Sequence, residues 1–155
     1  MALSEIDRTD REILRLLQEN AEFSNKELAH KLNKSLPTIH ERIRKLKETG
    51  FIKKVVALLD KKKVDRNLIA FSQVVLSDHT AETLLDFERE VARFPEVMEC
   101  FQMAGSCDFL LRIATADMDA YQEFYRLKLS LLPRIITINT FFVLTEIKSV
   151  TAYPI

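Results

Sequence analysis

Only two cysteines, Cys100 and Cys107, occur in the 155 residues. They are too few for a disulfide scaffold and lack the Cys-x-x-Cys spacing of a zinc site. No stretch approaches the ~20 uninterrupted apolar residues of a membrane helix, because charge interrupts the apolar runs every few positions. The opening Met1-Ala2-Leu3-Ser4-Glu5-Ile6-Asp7 has neither a basic start nor an apolar core. No export signal is therefore read there, and an intracellular, cytoplasmic protein is expected. Glycine is scarce, with two residues, Gly50 and Gly105. No phosphate loop, Gly-x-Ser-x-Gly or His-Glu-x-x-His motif is present. His30, His40 and His79 are scattered, and Cys107 beside Asp108 makes a poor nucleophile, since a neighbouring carboxylate raises a thiol pKa. These absences disfavour an enzyme, and no metal or cofactor is expected.

What is present builds a core. The chain is 47% hydrophobic and 30% charged, which excludes disorder over most of its length and allows one domain or two small ones. Its 23 basic and 23 acidic side chains cancel overall but are unevenly placed. Residues 1–66 hold 16 Lys/Arg against 11 Asp/Glu, a net of +5, and residues 67–155 hold 7 against 12, a net of −5. From Lys31 to Arg66 the balance is 12 against 4. Such asymmetry is either a solvated surface or a basic face for a polyanion joined to a domain with other work.

The first half reads as three helices. Asp7 is a good N-cap for a helix running to about Gln18, with Ile6, Ile13, Leu14, Leu16 and Leu17 at helical spacing. Ser24-Asn25-Lys26-Glu27 is a capping box opening a helix from Asn25 to Leu32. Asn33-Lys34 makes a short turn, and Ser35 caps a third helix with Pro37 in its first turn. Ile39, Ile43 and Leu46 line one face of this helix, and Gly50 follows its end. Two short helices joined by a tight turn form a helix-turn-helix. Phe51 to Leu59 is rich in β-branched residues and reads as a strand, followed by a polar connector containing Lys61-Lys62-Lys63.

The second half changes period. Strands are predicted over Leu68–Leu76, Val97–Ala104, Phe109–Ala114 and Ile135–Ile147, with helices over Ala81–Phe94 and Met118–Leu131. The order β-α-β-β-α-β is the ferredoxin-like arrangement. Phe94-Pro95-Glu96-Val97 and Leu132-Pro133-Arg134-Ile135, 38 residues apart, echo each other as two halves of one sheet would. The strands are apolar on both sides, so the sheet face without helices wants a partner, and a homodimer through sheet packing is expected. The fold class is thus α+β: a winged-helix-like helix-turn-helix domain at 1–50, a strand and linker at 51–67, and a ferredoxin-like domain at 68–155.

The second helix of a helix-turn-helix enters the major groove of duplex DNA. With Ile39, Ile43 and Leu46 inward, Pro37, Thr38, Glu41, Arg42 and Lys45 turn outward, flanked by His40 and Arg44. Arg and Lys can donate to guanine, Glu41 can accept from cytosine, and Thr38 can touch a thymine methyl or a phosphate. Ser35 and the helix start suit a phosphate. The alternative for Arg42 is a pair with Glu41 or Glu48, or packing of its stem on the core. Lys53, Lys54 and Lys61 to Lys63 serve long-range attraction.

Ile6-Asp7-x-x-Asp10-x-x-Ile13-Leu14-x-x-Leu17-Gln18 is one of several ordered motifs. It is followed by Glu27-Leu28-Ala29 and by Ser35-x-x-x-Ile39-x-x-Arg42-Ile43-x-x-Leu46-x-x-x-Gly50-x-Ile52. Pro95-Glu96-Val97-x-x-Cys100, Gly105-x-x-Asp108 and Val143-Leu144-x-x-Ile147-Lys148 complete the series. Together these resemble the leucine-responsive/asparagine regulator (Lrp/AsnC) family of prokaryotic transcription factors over nearly the whole chain. The chain departs from that family at Asn33, Asp65 and Arg134, where glycine is usual, and at Lys34, where an apolar residue is usual. The resemblance implies a regulator that binds double-stranded DNA, associates with the nucleoid, and closes its dimers into tetramers or octamers. It also implies that Gly105, Ser106, Cys107 and Asp108 help bind a small effector, typically an amino acid, between neighbouring dimers. Asp108 would hold the ammonium and loop N–H groups the carboxylate, with Arg134 nearby and Thr137, Asn139 and Thr140 offering polar groups on the last strand. Two contrasting readings are an architectural DNA-binding protein with little effector control and a ferredoxin-like enzyme fused to a helix-turn-helix.

Overall fold

Aspartate at position 7 starts the first helix by chemistry the sequence advertises. In a computed structural model, which describes residues 6–155, its carboxylate accepts from the Asp10 N–H at 2.9 Å while the Asp10 carboxylate accepts from the Asp7 N–H at 3.3 Å. Residues 1–5, which carry most of the export-signal reading, lie outside the described residues. Helix α1 spans Arg8–Glu19. Helix α2, Asn25–Leu32, opens on the reciprocal Ser24–Glu27 box and ends at Asn33, whose φ of 51° is the left-handed turn expected of an asparagine there. Helix α3, Leu36–Glu48, is capped by Ser35, carries Pro37 in its first turn and gives way to Gly50 at φ 79°. The helices close around Ile13, Leu28, Ile39 and Leu46, all essentially without solvent contact. Each such side chain contributes about 1.5–3 kcal/mol of transfer free energy.

Two compact units result. One runs to Leu58 and includes Lys148–Ile155; the other is Leu59–Ile147. Residues 148–155, expected within the 68–155 domain, thus group with the first unit. The Gln18 side chain grips the final segment, donating to the Tyr153 carbonyl at 3.1 Å and accepting from the Tyr153 N–H at 2.7 Å. A correction concerns residues 51–59, which form no strand. Val55, Val56, Leu58 and Leu59 remain 58% to 73% exposed. β-propensity expresses fit to a pleated, half-buried surface, and no strand pairs with this segment among the described residues.

The second unit is built as read: β1 Leu68–Leu76, α4 Ala81–Val91, β2 Val97–Gln102, β3 Phe109–Thr115, α5 Met118–Leu127 and β4 Ile135–Phe142. The strand order β2-β3-β1-β4, with every neighbour antiparallel, is that of a ferredoxin-like sheet. Helix α5 stops at Lys128, before a short 3₁₀ turn at Leu129–Leu131. β4 ends five residues earlier than expected, because β1 begins at Leu68 and offers no further rungs once Val143 has donated to Ile69. Phe87, Val91, Tyr121 and Phe124 of the helices meet Val74, Phe109, Leu111 and Ile113 in a second core.

The helix-free face is not uniformly apolar, contrary to the sequence reading. Register puts Phe71, Val75, Phe101, Leu110 and Phe141 there together with Gln73, Asn139 and the Arg112–Glu99 pair at 3.7 Å. Phe101 and Phe141 are nonetheless about half exposed, so apolar area on this face still lies in water.

Candidate DNA-reading helix and effector loop

Burial of Ile39, Ile43 and Leu46 fixes the rotation of α3, and the opposite face presents Pro37, His40, Glu41, Arg44 and Lys45. Thr38 is half-buried; its N–H donates to Ser35 Oγ at 3.3 Å and its hydroxyl shares a 2.7 Å hydrogen bond with the same oxygen. His40 Nδ1 lies 3.2 Å from the side-chain nitrogen of Asn25, tying α3 to the start of α2. The hydroxyl cap thus sits at the helix start, where backbone N–H groups and the dipole favour an anion.

Charge on this face is distributed unlike the sequence reading. Arg44 is clamped by its own helix, donating to Glu41 at 2.5 and 2.9 Å and to Glu48 at 2.6 Å. The guanidinium holds the Glu41 carboxyl below the usual range, and Arg44 is raised in turn by that carboxylate. Lys45 and Lys47 in the last turn supply cations outside this Glu–Arg–Glu cluster. Arg42 corrects the reading outright. It does not point outward and pairs with neither Glu41 nor Glu48; its Nη1 donates to Asp7 at 2.7 Å and to Asp10 at 2.9 Å. Position 42 lies three residues after Ile39 and four before Leu46, which is the flank of the buried stripe. Arg42 therefore ties α3 to the cap of α1. Its guanidinium is the second cause, after the Asp10 N–H, of the lowered Asp7 pKa.

In the second unit, the loop from Gly105 to Asp108 joins β2 to β3, and Gly105 adopts φ 137°, which accounts for glycine there. Gly105 and Ser106 are exposed, whereas Cys107 is 7% exposed and packs as a small apolar group. Asp108 is already engaged. Its Oδ2 accepts from the Leu76 N–H at 2.7 Å, and its Oδ1 lies 2.8 Å from His79 Nε2. Its backbone N–H donates to Val74, and its carbonyl accepts from Met103. The residue stitches three strands at one end of the sheet.

Arg134 reaches the same end. Its φ of 65° is left-handed, its carbonyl accepts from the Ser77 N–H at 2.8 Å, and its guanidinium donates to the Thr83 hydroxyl. Thr83 and Thr80 hydroxyls, the Thr80 N–H and the nearby Arg134 charge push the Asp78 carboxyl down to about 2. Segment 76–79 thus links Asp108 on one side to Arg134 on the other. Thr137, paired with Val75, and Asn139, paired with Gln73, are exposed on the helix-free face. Thr140 is corrected: it faces the helices, where its hydroxyl lies 2.8 Å from Ser72 Oγ and 2.7 Å from the Tyr121 hydroxyl. The expected polar row of three is a row of two. Beneath Arg134 a cavity of about 30 Å³ has room for a water but not for an amino acid.

The partners missed from sequence were Asp7 and Asp10 for Arg42, and His79 for Asp108. The helical offsets of Arg42 from Ile39 and Leu46 carried a signal; nothing local links positions 79 and 108. Among the described residues no group of three or more His, Cys, Asp or Glu could hold a metal ion, and no helix is long and apolar enough to cross a membrane.

Residues 69–153 match the Lrp/AsnC ligand binding domain, and residues 6–53 match a winged helix-turn-helix DNA-binding family. The chain is 34% identical over 153 residues to the Bkd operon transcriptional regulator of Pseudomonas aeruginosa, covering 99% of this chain and 100% of that one. It superposes on an AsnC family transcriptional regulator from Agrobacterium tumefaciens with a TM-score of 0.92 and 37% identity, covering 96% of this chain and 97% of the other. A transcriptional regulator from Neisseria meningitidis, solved as its L-methionine complex, gives 0.91 and 33%, with 96% of each chain covered.

Proposed function

Because the chain belongs to the Lrp/AsnC family of transcriptional regulators, pairing a DNA-binding helix-turn-helix with a small-molecule effector domain, we propose how its two units divide the work. α3 reads the major groove through Thr38, Glu41 and Lys45, while Ser35, Pro37, His40 and Arg44 lie along the phosphates. The observation that carries this reading is the rotation of α3, whose buried face leaves Glu41 and Lys45 facing solvent beside a hydroxyl-capped N-terminus. Arg42 supports the helix from behind. The test uses the full chain and DNA fragments selected by it from a random-sequence pool. Lys45→Ala should weaken binding to selected fragments by about 1–3 kcal/mol more than to scrambled ones. Equal losses on both would reduce Lys45 to a phosphate contact, and no selection at all would favour the architectural alternative.

The effector is an amino acid held between neighbouring dimers, at the sheet end that carries Gly105, Ser106 and Arg134, with Thr137 and Asn139 beside it. The L-methionine complex of the neisserial relative supports that class of ligand, and the cavity beside Arg134, at about 30 Å³ too small for an amino acid, fits a site completed by a second chain. Asp108, already bonded to Leu76 and His79, shapes the loop rather than holding the ammonium alone. The minimum unit is a homodimer that covers the half-exposed Phe101 and Phe141 and the unpaired apolar segment 51–59. Tetramers or octamers form from it, and the protein works at the nucleoid.

A further inference from the structure

Gln18 closes the first of the ordered sequence motifs, yet neither DNA reading nor the effector loop uses it. It sits in the last turn of α1, and its partner is a backbone unit 135 residues away. The side-chain Nε2 donates to the Tyr153 carbonyl at 3.1 Å, while Oε1 accepts from the Tyr153 N–H at 2.7 Å. In a hydrogen-bonded pair of antiparallel strands one residue offers its own N–H and C=O to the same neighbour. A primary amide, with a donor and an acceptor side by side, takes the place of that neighbour. Pro154 favours the arrangement, because the residue before a proline is biased to extended backbone. Gln18 thus grips main chain and leaves the Tyr153 ring free.

Little else fastens the segment. Residues 145–155 belong to no helix or strand. Leu144, Ile147, Val150 and Tyr153 are 68% to 98% exposed, so apolar burial does not hold them. Two exposed hydrogen bonds have a modest net worth, and an element held by so few contacts opens far below global unfolding. The path of the chain gives this weak contact a consequence. The chain leaves the first unit after Leu58 and returns to it at Lys148. Within the second unit Glu146, just before the return, pairs with Lys61, just after the departure. With the Gln18–Tyr153 bonds made, the DNA-binding unit is attached through two segments of chain; with them broken, it is attached through one.

We propose that residues 148–155 are a releasable strap: closed on Gln18 it restrains the helix-turn-helix unit, and open it lets that unit swing. A dimer must place two recognition helices at a fixed half-site spacing. A unit restrained beforehand loses less freedom on binding, so the closed strap favours DNA binding.

The test uses the full-length protein and two readouts. Cleavage after Lys148 by limiting trypsin, followed by intact mass as loss of residues 149–155, reads the open strap without DNA. When opening is faster than cutting, that rate tracks the open population. Fluorescence anisotropy on a duplex that the wild type binds reads the consequence, whichever residues of α3 contact the bases. Gln18→Met keeps the length and helix propensity of the side chain but removes both amide groups. It should speed the cleavage at least threefold and raise the dissociation constant for DNA at least threefold. Tyr153→Pro deletes the N–H from the strap's side, leaves α1 untouched, and should produce both changes; it keeps the test intact if Gln18→Met does not fold. The double variant should be no worse than either single one, since both break the same contact. Unchanged cleavage in the folded variants would show that Gln18 does not hold the segment. Faster cleavage with unchanged DNA affinity would leave the strap without influence on the helix-turn-helix. Either result overturns the proposal.

Discussion

Replacing Arg42 with alanine separates a base-reading role from a scaffolding one. The guanidinium donates to Asp7 and Asp10 at 2.7 and 2.9 Å, with side-chain exposures of 30% for Arg42, 53% for Asp7 and 16% for Asp10. Hydrogen bonds to charged groups are worth about 1.5–3 kcal/mol when sheltered, and exposed ion pairs about 0.2–1 kcal/mol. The half-sheltered geometry puts the loss at about 1–2 kcal/mol. That lowers the melting temperature by about 2–8 °C if the chain melts as one unit. Arg42→Lys should recover part of it, as a point charge cannot copy the planar fork. A double-mutant cycle with Asp10→Asn should return a coupling within the ~0.5–3 kcal/mol of contacting pairs. In DNA binding, Arg42→Ala should weaken selected and scrambled fragments alike, because it perturbs how α3 is held rather than a base contact. An unchanged melting temperature with a tenfold loss confined to the selected fragment would refute this assignment.

Further outcomes follow from the sheet end that carries Asp78 and Arg134. The Asp78 carboxyl is held near 2 rather than 3.8, chiefly by the Thr83 hydroxyl. Its contribution is present above the unfolded value and lost as pH falls through about 2, so melting temperatures measured from pH 4 downward should decline less steeply in Asp78→Asn than in the wild type. Arg134→Gly and Arg134→Ala both delete the guanidinium, but only alanine keeps the left-handed penalty. Glycine should be the more stable by about 0.5–1 kcal/mol, after its larger unfolded-state entropy is subtracted. Equal melting temperatures for the two would refute a strained backbone at this position.

Local signals made the helices legible. Asp7, Ser24 and Ser35 are capping residues whose partners lie three positions away, so a single window contains the whole interaction. The βαββαβ order was equally readable from the changes of period. What failed depended on partners remote in the chain. Phe51–Leu59 has the composition of a strand but no ladder, and β4 stops where β1 runs out of rungs. In the site, α3's outward face could be read from Ile39, Ile43 and Leu46, yet Arg42 was lost to Asp7 and Asp10, 35 and 32 residues away. Thr140 looked like its neighbours Thr137 and Asn139, but alternation turns it to the opposite face, and Tyr121 and Ser72 were waiting for it there.

Three positions where the family usually carries glycine adopt left-handed backbone here without it: Asn33 at 51°, Asp65 at 52° and Arg134 at 65°. The fold therefore keeps the turns while changing what they display. At position 33 the substitution costs little, since asparagine tolerates the conformation and the α2–α3 turn survives. Asp65 is placed before Arg66, whose guanidinium donates to its carbonyl at 2.9 Å. Arg134 bears the largest steric cost of the three and returns the largest network, with its carbonyl on Ser77 and its guanidinium on Thr83 beside Asp78. Strain that persists in a non-glycine residue must be over-determined by its surroundings, and such residues gather where ligands are held. Arg134 is the one of the three that lies at the sheet end proposed to bind the effector, bonded to Ser77.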